Sequence, residues 1–502
     1  MPQQRVDEGV EQLVNAELIF RRGTPPEAEY TFKHALVQEA AYSTLLRGSR
    51  QQLHARVAAT LESRFPETIV AEPSLLAQHF TEAGLTEKAI SYWLKAGQQS
   101  ISRCAMNEAV AQLRKGLNLL SSIPEGAARQ EQELGLQITL GHALMAAKGL
   151  AAPEPGEAFA RARDLCELIG RPQQLGTVLT GQFLLGFVRG EFDQAEHHAE
   201  QMLRLGEARN DAMWACFGSL FSGTARQFTG NLGDARAYLE NALSSWEPTF
   251  RRFSALPDDP YVQILIFLSR TLLYLGYVDQ ARLRRDEALA EARRLSPYNL
   301  VFALCLAWYG DWASEGAESA PTRLQSAEKV LAISAEQGFA MWSGVGNVMR
   351  GWSLGVVGQA AEGIPLMLKG IDDVSATGCN ILIPLFLMIL AQVYGTAGQP
   401  EEGLKRLAKA AKLVETTRER WAEAEMHRLR GTLLLSMHDQ AAAEDSFHKA
   451  LAVAQRQNAK FWELRAAMSM ARLYRDQANG MRLAISSPRF TAGSLKASTR
   501  SI

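Results

Sequence analysis

The sequence predicts an all-α protein, a right-handed α-α solenoid of stacked helix pairs with a small segment of mixed structure at the N-terminus. Two observations predict it. Small and large apolar residues recur at intervals of 40 positions in the C-terminal half, and strand-like patterns occur only within residues 18–34. The length of 502 residues fits this architecture, because a repeat array adds core with every unit whereas one compact core stops growing earlier.

Composition narrows the class of protein. Hydrophobic residues make up 47% of the chain and charged residues 21%, which is typical of a folded protein. The formal net charge of −1 lacks the basic surplus of a nucleic-acid binder, so we expect no nucleic-acid partner. The five cysteines form no CxxC pair, which argues against a zinc site or a disulfide framework and favours a cytoplasmic setting. The most apolar run, ILIPLFLMIL at 381–390, is too short to cross a bilayer, so we expect a buried helix and no membrane partner.

Five columns of residues define the 40-residue register. Small residues occupy three columns and larger residues two: Gly351, Ala391, Gly431 and Ala471; Gly363, Gly403 and Ala443; Gly370, Ala410 and Ala450; Leu354, Tyr394, Leu434 and Tyr474; Met367, Leu407 and Phe447. Small residues let two antiparallel helices approach closely, and large residues fill the groove beside them. A helical glycine costs about 1 kcal/mol relative to alanine. The sequence accepts that cost at Gly363 and Gly403, which predicts close helix crossings there.

This pattern resembles the tetratricopeptide repeat (TPR), which usually has 34 residues per unit. The unit here has 40 residues, so we expect longer helices. The same spacing relates Ala195 to Ala235 upstream, and we expect the array to cover residues 70–478. Such arrays have an extended concave face, on which we expect a protein or peptide partner. The oligomeric state is not predicted.

The first 66 residues have a different pattern. A helix at 7–17, two short strands at 18–22 and 30–34, and a helix that follows them have the order of the second half of a winged helix. The tail, residues 479–502, is rich in serine, threonine and basic residues and departs from the repeat, so we expect it to be disordered.

Several stretches together resemble one family. FKHALVQEAAYSTLLRGSRQQLHARVAATLE, AGLTEKAISYWLKAGQQSI and KFWELRAAMSMARLYRDQ are similar to bacterial signalling proteins that join an adenylate/guanylate cyclase domain, a STAND-like AAA ATPase and a TPR array in one chain. The resemblance implies that residues 1–66 are the winged-helix end of the ATPase and that the array is a regulatory, protein-interaction module. It also implies ATP or ADP as the nucleotide of full-length relatives.

The resemblance assigns one candidate site residue. In related ATPases the histidine of a Met-His-Asp-Leu motif contacts the β-phosphate of ADP. Lys33-His34-Ala35-Leu36 matches that motif with Lys in place of Met and Ala in place of Asp, so only His34 carries over, as an ADP contact in a full-length context. The alternative is a histidine at a helix N-terminus that makes a local hydrogen bond.

Catalytic motifs are absent from the sequence. There is no GxxxxGK[ST] phosphate loop, no cyclase domain and no GxSxG nucleophile motif, so we expect no enzyme activity, no catalytic residue and no cofactor of this chain itself. Glu196-His197-His198-Ala199-Glu200 is either a metal site or a charged helix surface. The surface is favoured because no further ligands follow at a regular spacing, and we therefore expect no metal.

A second function stays open at this point. The chain is either the interaction module described above or a small-ligand-sensing helical repeat domain of a bacterial regulator, which an aromatic concave pocket would favour. Six tryptophans either line such a pocket or pack between repeats, and packing is favoured for most of them: Trp308, Trp312, Trp342, Trp352, Trp421 and Trp462.

Overall fold

The computed structural model describes residues 3–25, 28–149, 152–253, 258–314 and 320–486. These residues fall into two compact units, Met1–Ala143 and Leu144–Ile502. The described residues are almost entirely α-helical, with a single two-stranded sheet, and consecutive helices pack as antiparallel pairs. The predicted fold class, an all-α TPR-like solenoid, is therefore confirmed.

The first unit begins with a short mixed segment. Its elements are α1 (Gln3–Asn15), β1 (Ile19–Arg22), β2 (Glu29–Phe32), α2 (Ala35–Ser43), α3 (Arg47–Arg64), α4 (Pro66–Ala71), α5 (Pro73–Glu82), α6 (Thr86–Ser102) and α7 (Met106–Leu119), and α8 (Ala127–Lys148) continues into the second unit. The two strands pair antiparallel, with Ile19 opposite Phe32. Helix α2 buries none of its side chains, and Leu36 on it is 78% exposed. The assignment of residues 1–66 to a partial winged helix stays a prediction.

The second unit contains the remaining helices. They are α9 (Glu154–Ile169), α10 (Pro172–Arg189), α11 (Phe192–Arg209), α12 (Ala212–Phe228), α13 (Leu232–Ser245), α14 (Pro260–Leu275), α15 (Val278–Leu295), α16 (Pro297–Ser314), α17 (Ala320–Gln337), α18 (Ala340–Val356), α19 (Ala360–Ala376), α20 (Ile383–Thr396), α21 (Pro400–Thr417), α22 (Glu423–Ser436), α23 (Gln440–Arg456) and α24 (Lys460–Ser486). From α10 onward the helices pair as α10–α11 through α22–α23. We call α10, α12, α14, α16, α18, α20 and α22 the first helices of their pairs.

The 40-residue register marks the helix crossings. The backbones of α18 and α19 meet at Gly351 and Gly363, where a Cβ on either residue would lie within 2.5 Å of the other's carbonyl oxygen. One unit later, a Cβ on Gly403 would lie 2.9 Å from the carbonyl oxygen of Ala391. One unit later again, a Cβ on Gly431 would lie 2.5 Å from the ring of Phe447. The small residues therefore stand where the two helices of a pair touch.

The turn inside each pair follows the same register. Gly358 and Gly398 have φ values of +91° and +71°, a left-handed conformation that glycine adopts without steric penalty. His438 stands 40 positions after Gly398 and adopts a φ of +65°. The turn geometry is thus kept where the residue type changes.

The C-terminal boundary of the array stays a prediction. Helix α24 continues to Ser486, past residue 478 where we expected the array to end. The rest of the predicted disordered tail lies outside the described residues. The apolar run at 381–390 forms the buried start of α20, as predicted. Across the described ranges, no helix is both long and apolar enough to cross a membrane.

Candidate functional site

The first helices of the second unit carry its apolar interior. Helix α14 is buried without interruption from Val262 to Leu272. Helix α16 is likewise buried over most of its length. Each first helix also contacts the next one, from α10 and α12 through to α20 and α22. A helix that is apolar on all sides lies inside a protein, so the first-helix face is an interior surface rather than an open groove.

Later repeats close over this face through main-chain hydrogen bonds. The amides of Asn380 and Ile381 donate to the carbonyl oxygen of Val188 at 2.8 and 3.2 Å. The amides of Arg420 and Trp421, 40 positions later, donate to the carbonyl oxygen of Phe228 at 2.8 and 3.2 Å. Val188 and Phe228 lie at the C-terminal ends of α10 and α12, where helix carbonyls lack intrahelical partners. The repeated contact therefore satisfies two helix ends and joins early repeats to late ones.

An aromatic stack reinforces the closure. The ring of Tyr274 on α14 stacks on both Trp421 and Trp462, with centroids 5.1 and 5.4 Å apart. The indole N–H of Trp462 donates to the carbonyl oxygen of Trp421 at 3.0 Å. All three side chains are buried. Helix α14 is thus fixed to repeats that follow it by more than 140 positions.

A cavity of about 110 Å³ lies within the first-helix face. Helices α10, α12, α14, α16, α18 and α20 all contribute to its wall. Nine of the lining side chains are aromatic: Phe183, Phe187, Phe221, Phe228, Phe267, Tyr298, Phe302, Trp342 and Phe386. Most other lining residues are aliphatic. We call this space the aromatic cavity. An engineered apolar cavity of about 150 Å³ binds benzene or xenon. The aromatic cavity is smaller than this, and its apolar lining suits a small apolar group.

A few polar groups stand at the wall of the cavity. Asp258 and Gln263 line it together, and the Gln263 amide donates to the carbonyl oxygen of Asp258 at 3.3 Å. Burial raises the pKa of the Asp258 carboxyl to about 6 and raises the pKa of the Tyr298 phenol as well. Helix α14 starts at this point, where Asp259 accepts hydrogen bonds from the amides of Tyr261 and Val262. The capping fixes the first turn of the helix that carries the cavity wall.

A buried cation lies behind one wall of the cavity. Arg270 is 2% exposed, and none of its guanidinium nitrogens makes a hydrogen bond within the described part of the chain. Its guanidinium carbon lies 4.9 Å from the ring centre of Trp421, 5.3 Å from that of Phe228, 5.9 Å from that of Tyr309 and 6.0 Å from that of Phe267. Cation–π contacts stabilise a buried charge by about 2 kcal/mol, less than the several kcal/mol that burial costs.

A buried carboxyl group lies near the same cluster. Glu419 is 3% exposed and accepts hydrogen bonds from the amide of Leu382 at 3.0 Å and from the indole N–H of Trp421 at 3.1 Å. Burial raises its pKa to about 7, although the two hydrogen bonds and the charge of Arg270 act in the opposite direction. The group therefore titrates near neutral pH. Its carboxylate in turn raises the pKa values of Tyr309 and Cys379, which are raised mainly by burial.

His34 lies at the start of α2, on the surface. It is the residue immediately before the helix, in an extended conformation, and its side chain makes no capping hydrogen bond. Only its carbonyl oxygen is used, accepting from the amides of Val37 and Gln38. The local hydrogen bond that we considered for its side chain is therefore not formed. The proposed contact with ADP stays a prediction.

The charged stretch at 196–200 lies on the surface of α11. Glu196 forms an ion pair with Arg226 of the neighbouring helix. His198 is partly buried, and this burial lowers the pKa of its ring to about 4. Among the residues that the structure describes, no group of three or more potential metal ligands comes together.

The six tryptophans are all buried. Trp342 alone among them lines the aromatic cavity. Trp312 and Trp352 donate to the same side-chain oxygen of Gln392, at 3.0 and 3.2 Å, and so tie three first helices together. Packing is the role of most of them, as favoured from the sequence. The cavity is lined mainly by phenylalanines, which the sequence pattern does not distinguish from other core residues.

Arg270 and Glu419 were missed at the sequence level, although a signal exists for the arginine. Helix α14 reads PYVQILIFLSRTLLYL, in which Arg270 is the single charged residue. A lone charge within an apolar helix is buried together with the rest of the helix. For Glu419, which stands between Arg418 and Arg420 in a polar stretch, the sequence has no corresponding signal.

The fold and this interior face define the class of the protein: an all-α helical-repeat protein with a TPR-like arrangement of helix pairs. The solved structure of a Rap protein complexed with Competence and Sporulation Factor is similar to 74% of this chain and 99% of its own, at 13% identity and a TM-score of 0.52. A tetratricopeptide repeat protein from Parabacteroides merdae ATCC 43184 aligns over 59% of this chain and 99% of its own, at 16% identity and a TM-score of 0.32. The likeness to the Rap protein concerns the fold alone.

Sequence comparison gives a relative that has no assigned function. An uncharacterized protein of Rhizobium meliloti (strain 1021) is 25% identical over 488 residues. The match covers 92% of this chain and 45% of that protein, so the chain spans less than half the length of its relative. No protein-family profile matches the chain.

Proposed function

We propose that the chain is the sensor module of a longer signalling protein and that its array binds a small apolar molecule in the aromatic cavity. The observation that supports this proposal is the cavity itself. It is lined by nine aromatic side chains and bounded by six first helices, as a binding pocket built between repeats would be.

The energetics favour a pocket that is filled. An apolar ligand in the cavity gains van der Waals contacts with the aromatic and aliphatic side chains that line it. It also removes its own apolar surface from water. Ligand binding to the folded state alone also raises the midpoint of unfolding.

The position of the cavity connects its occupancy to the closure of the array. Val188 and Ile381 both line the cavity, and they belong to the main-chain contact that joins α10 to the segment before α20. A ligand that moves either side chain acts directly on this contact. Occupancy can therefore bias the arrangement of early and late repeats, which is the differential interaction that a sensor needs.

The second candidate function is the interaction module, with a protein or peptide bound on the concave face. The solved neighbour with the higher TM-score is a Rap protein complexed with Competence and Sporulation Factor, which favours a bound partner in this fold. We place either function in the cytoplasm of a bacterium, in a chain that joins a STAND-like ATPase and a nucleotide cyclase to the array. In that setting, His34→Ala is expected to speed ADP release from a full-length relative.

Thermal unfolding of the full chain with benzene or indole tests the proposed function. We expect either probe to raise the midpoint of unfolding. Val345→Phe places a ring in the cavity and should remove the effect, whereas Val357→Phe, at a position that is 53% exposed, should keep it. If Val345→Phe does not fold, Val345→Ile replaces it as the test variant. Val345→Ile adds one methylene group at the cavity wall and should weaken the effect. No shift with either probe, or equal shifts in wild type and Val345→Phe, would contradict the proposal.

A further inference from the structure

Arg270 is a buried cation whose hydrogen-bond donors have no well-aligned partner among the residues that the structure describes. The Tyr274 hydroxyl is near enough for Arg270 to act against the rise that burial causes in the pKa of that phenol. Its three guanidinium nitrogens lie inside the second unit without a hydrogen bond among the described residues. Buried polar groups almost always have a partner, and a charged group left without one is costly. A guanidinium group in this state is suited to an anion, above all a carboxylate, which pairs with it through two parallel hydrogen bonds.

Two aromatic rings lie between the guanidinium group of Arg270 and the aromatic cavity. Phe228 and Phe267 line the cavity, and the same rings lie 5.3 and 6.0 Å from the guanidinium carbon of Arg270. Arg270 itself does not line the cavity. A rotamer change of one of these rings would open the guanidinium to a ligand held there, and such side-chain changes are common on binding.

From this juxtaposition we infer that the ligand is an apolar monocarboxylate, whose hydrocarbon part fills the aromatic cavity and whose carboxylate pairs with Arg270. This inference rests on the proposed function and names its ligand class. A neutral hydrocarbon would fill the cavity equally well but would leave the guanidinium without a partner. The carboxylate adds a charge-assisted contact in a site from which water is largely excluded.

Glu419 makes this binding depend on pH. The groups that face it are Arg270 on α14, Tyr309 on α16 and Cys379 before α20, together with the donors Leu382 and Trp421. Glu419 titrates near pH 7, and in its ionised form it competes with a ligand carboxylate for the charge of Arg270. Binding of the anion therefore accompanies proton uptake by Glu419, so affinity falls as pH rises above 7, by up to about tenfold per pH unit.

Calorimetric titration of the full chain with phenylacetate and phenylacetamide tests the inference. The two probes have the same ring and nearly the same shape but differ in charge. We expect phenylacetate to bind wild type at least about tenfold more tightly than phenylacetamide, since one charge-assisted bond contributes about 1.4 kcal/mol or more. This preference should shrink between pH 6 and pH 8, and Glu419→Gln should weaken that pH dependence. The Asp258 carboxyl at the cavity wall, whose pKa burial raises to about 6, contributes the remainder because its ionised form repels a ligand carboxylate.

Two arginine variants assign the contact. Arg270→Met keeps the volume of the side chain and should abolish the preference for phenylacetate. Arg323→Met is the matched control, because Arg323 is also buried and lies 5.0 Å from the Trp352 ring, which does not line the cavity. This control should keep the preference. If Arg270→Met does not fold, Arg270→Lys and the wild-type comparison of the two probes still decide the matter.

The possible failures are distinguishable. Equal binding of phenylacetate and phenylacetamide overturns the carboxylate inference and leaves the sensor function standing. A preference that survives in Arg270→Met, or that is unchanged from pH 6 to pH 8, also overturns the inference. Binding of neither phenylacetamide nor benzene contradicts the proposed function, and the inference with it.

Discussion

A Cβ on Gly363 would lie 2.3 Å from the carbonyl oxygen of Gly351, closer than real Cβ atoms approach any atom. The backbones of α18 and α19 are therefore in direct contact at this crossing. The equivalent crossings at Ala391–Gly403 and Gly431–Ala443 are also close, at 2.9 and 3.0 Å from Cβ to carbonyl oxygen. Close approach at a fixed position in each pair determines how the pairs stack.

Gly363→Ala is expected to lower the free energy of unfolding by about 1–3 kcal/mol, because the new Cβ overlaps backbone that cannot move aside cheaply. The control is Gly233→Ala in α13, where a Cβ meets nothing within 4 Å. There alanine should stabilise by up to about 1 kcal/mol through helix propensity. Urea unfolding of both variants checks the prediction, and a stabilised Gly363→Ala would contradict the crossing geometry.

Glu425→Gln is expected to destabilise the chain by about 3–5 kcal/mol. Glu425 is 1% exposed and accepts hydrogen bonds from the guanidinium groups of Arg428 and Arg465, at 2.7 and 2.8 Å. Removing one partner of a buried ion pair leaves uncompensated charge behind. Asp445→Asn breaks an exposed pair with Lys449 and should leave the stability nearly unchanged. Similar losses of stability in the two variants would contradict the prediction.

The ion pairs of Glu425 also predict that the free energy of unfolding falls at acid pH. Burial alone would raise the pKa of Glu425, but the charges of Arg428 and Arg465 dominate and lower it to about 2. A pKa below the ordinary value of 4.5 means that the stabilisation is complete above pH 4.5 and is lost as pH falls towards 2. Urea unfolding between pH 5 and pH 3 should show a smaller decline in Glu425→Gln than in wild type.

Glu419 predicts the opposite dependence on pH. Its folded pKa of about 7 lies above the ordinary 4.5, so the folded state favours the protonated form. Stability from this group is greatest below pH 4.5 and declines as pH rises to about 7, with a slope of up to about 1.4 kcal/mol per pH unit. The difference in unfolding free energy between wild type and Glu419→Gln, measured at pH 5, 6, 7 and 8, isolates the effect. A difference that does not change with pH would show that Glu419 has an ordinary pKa.

His34→Ala is expected to change the stability of the chain by less than about 0.5 kcal/mol. The side chain is exposed and makes no capping hydrogen bond, so its removal takes away no contact that the fold needs. Thermal unfolding of the variant is the measurement. A fall in the unfolding free energy of more than about 1 kcal/mol would mean that His34 is structural.

The sequence predicted the local features of the fold and missed its long-range ones. The column of Gly351, Ala391 and Gly431 was visible because helix crossings need small residues at a fixed spacing. The hydrogen bonds from Asn380 to Val188 and from Arg420 to Phe228 were not visible in the sequence. They join main-chain atoms and so do not require particular side chains.

From the sequence alone, an aromatic pocket was only one of two alternatives. Phenylalanines in apolar helices are usual core residues, and a pattern of period 3.6 does not show which of them leave a space between repeats. Arg270 was detectable as the lone charge of α14, but the sequence does not show that the rings of Trp421 and Tyr309, which are distant in sequence, surround it. Helix α2 shows that an apolar pattern alone does not ensure burial, since none of its residues is buried.

Diffraction from crystals of the full chain under xenon pressure tests the central claim most directly. Xenon occupies apolar cavities that are large enough to hold it, and its electron density is unambiguous. The account predicts a xenon site within the aromatic cavity, between Phe183, Phe302 and Trp342, that is absent from Val345→Phe. Xenon bound only at other places, with the space between these three rings empty, would contradict it.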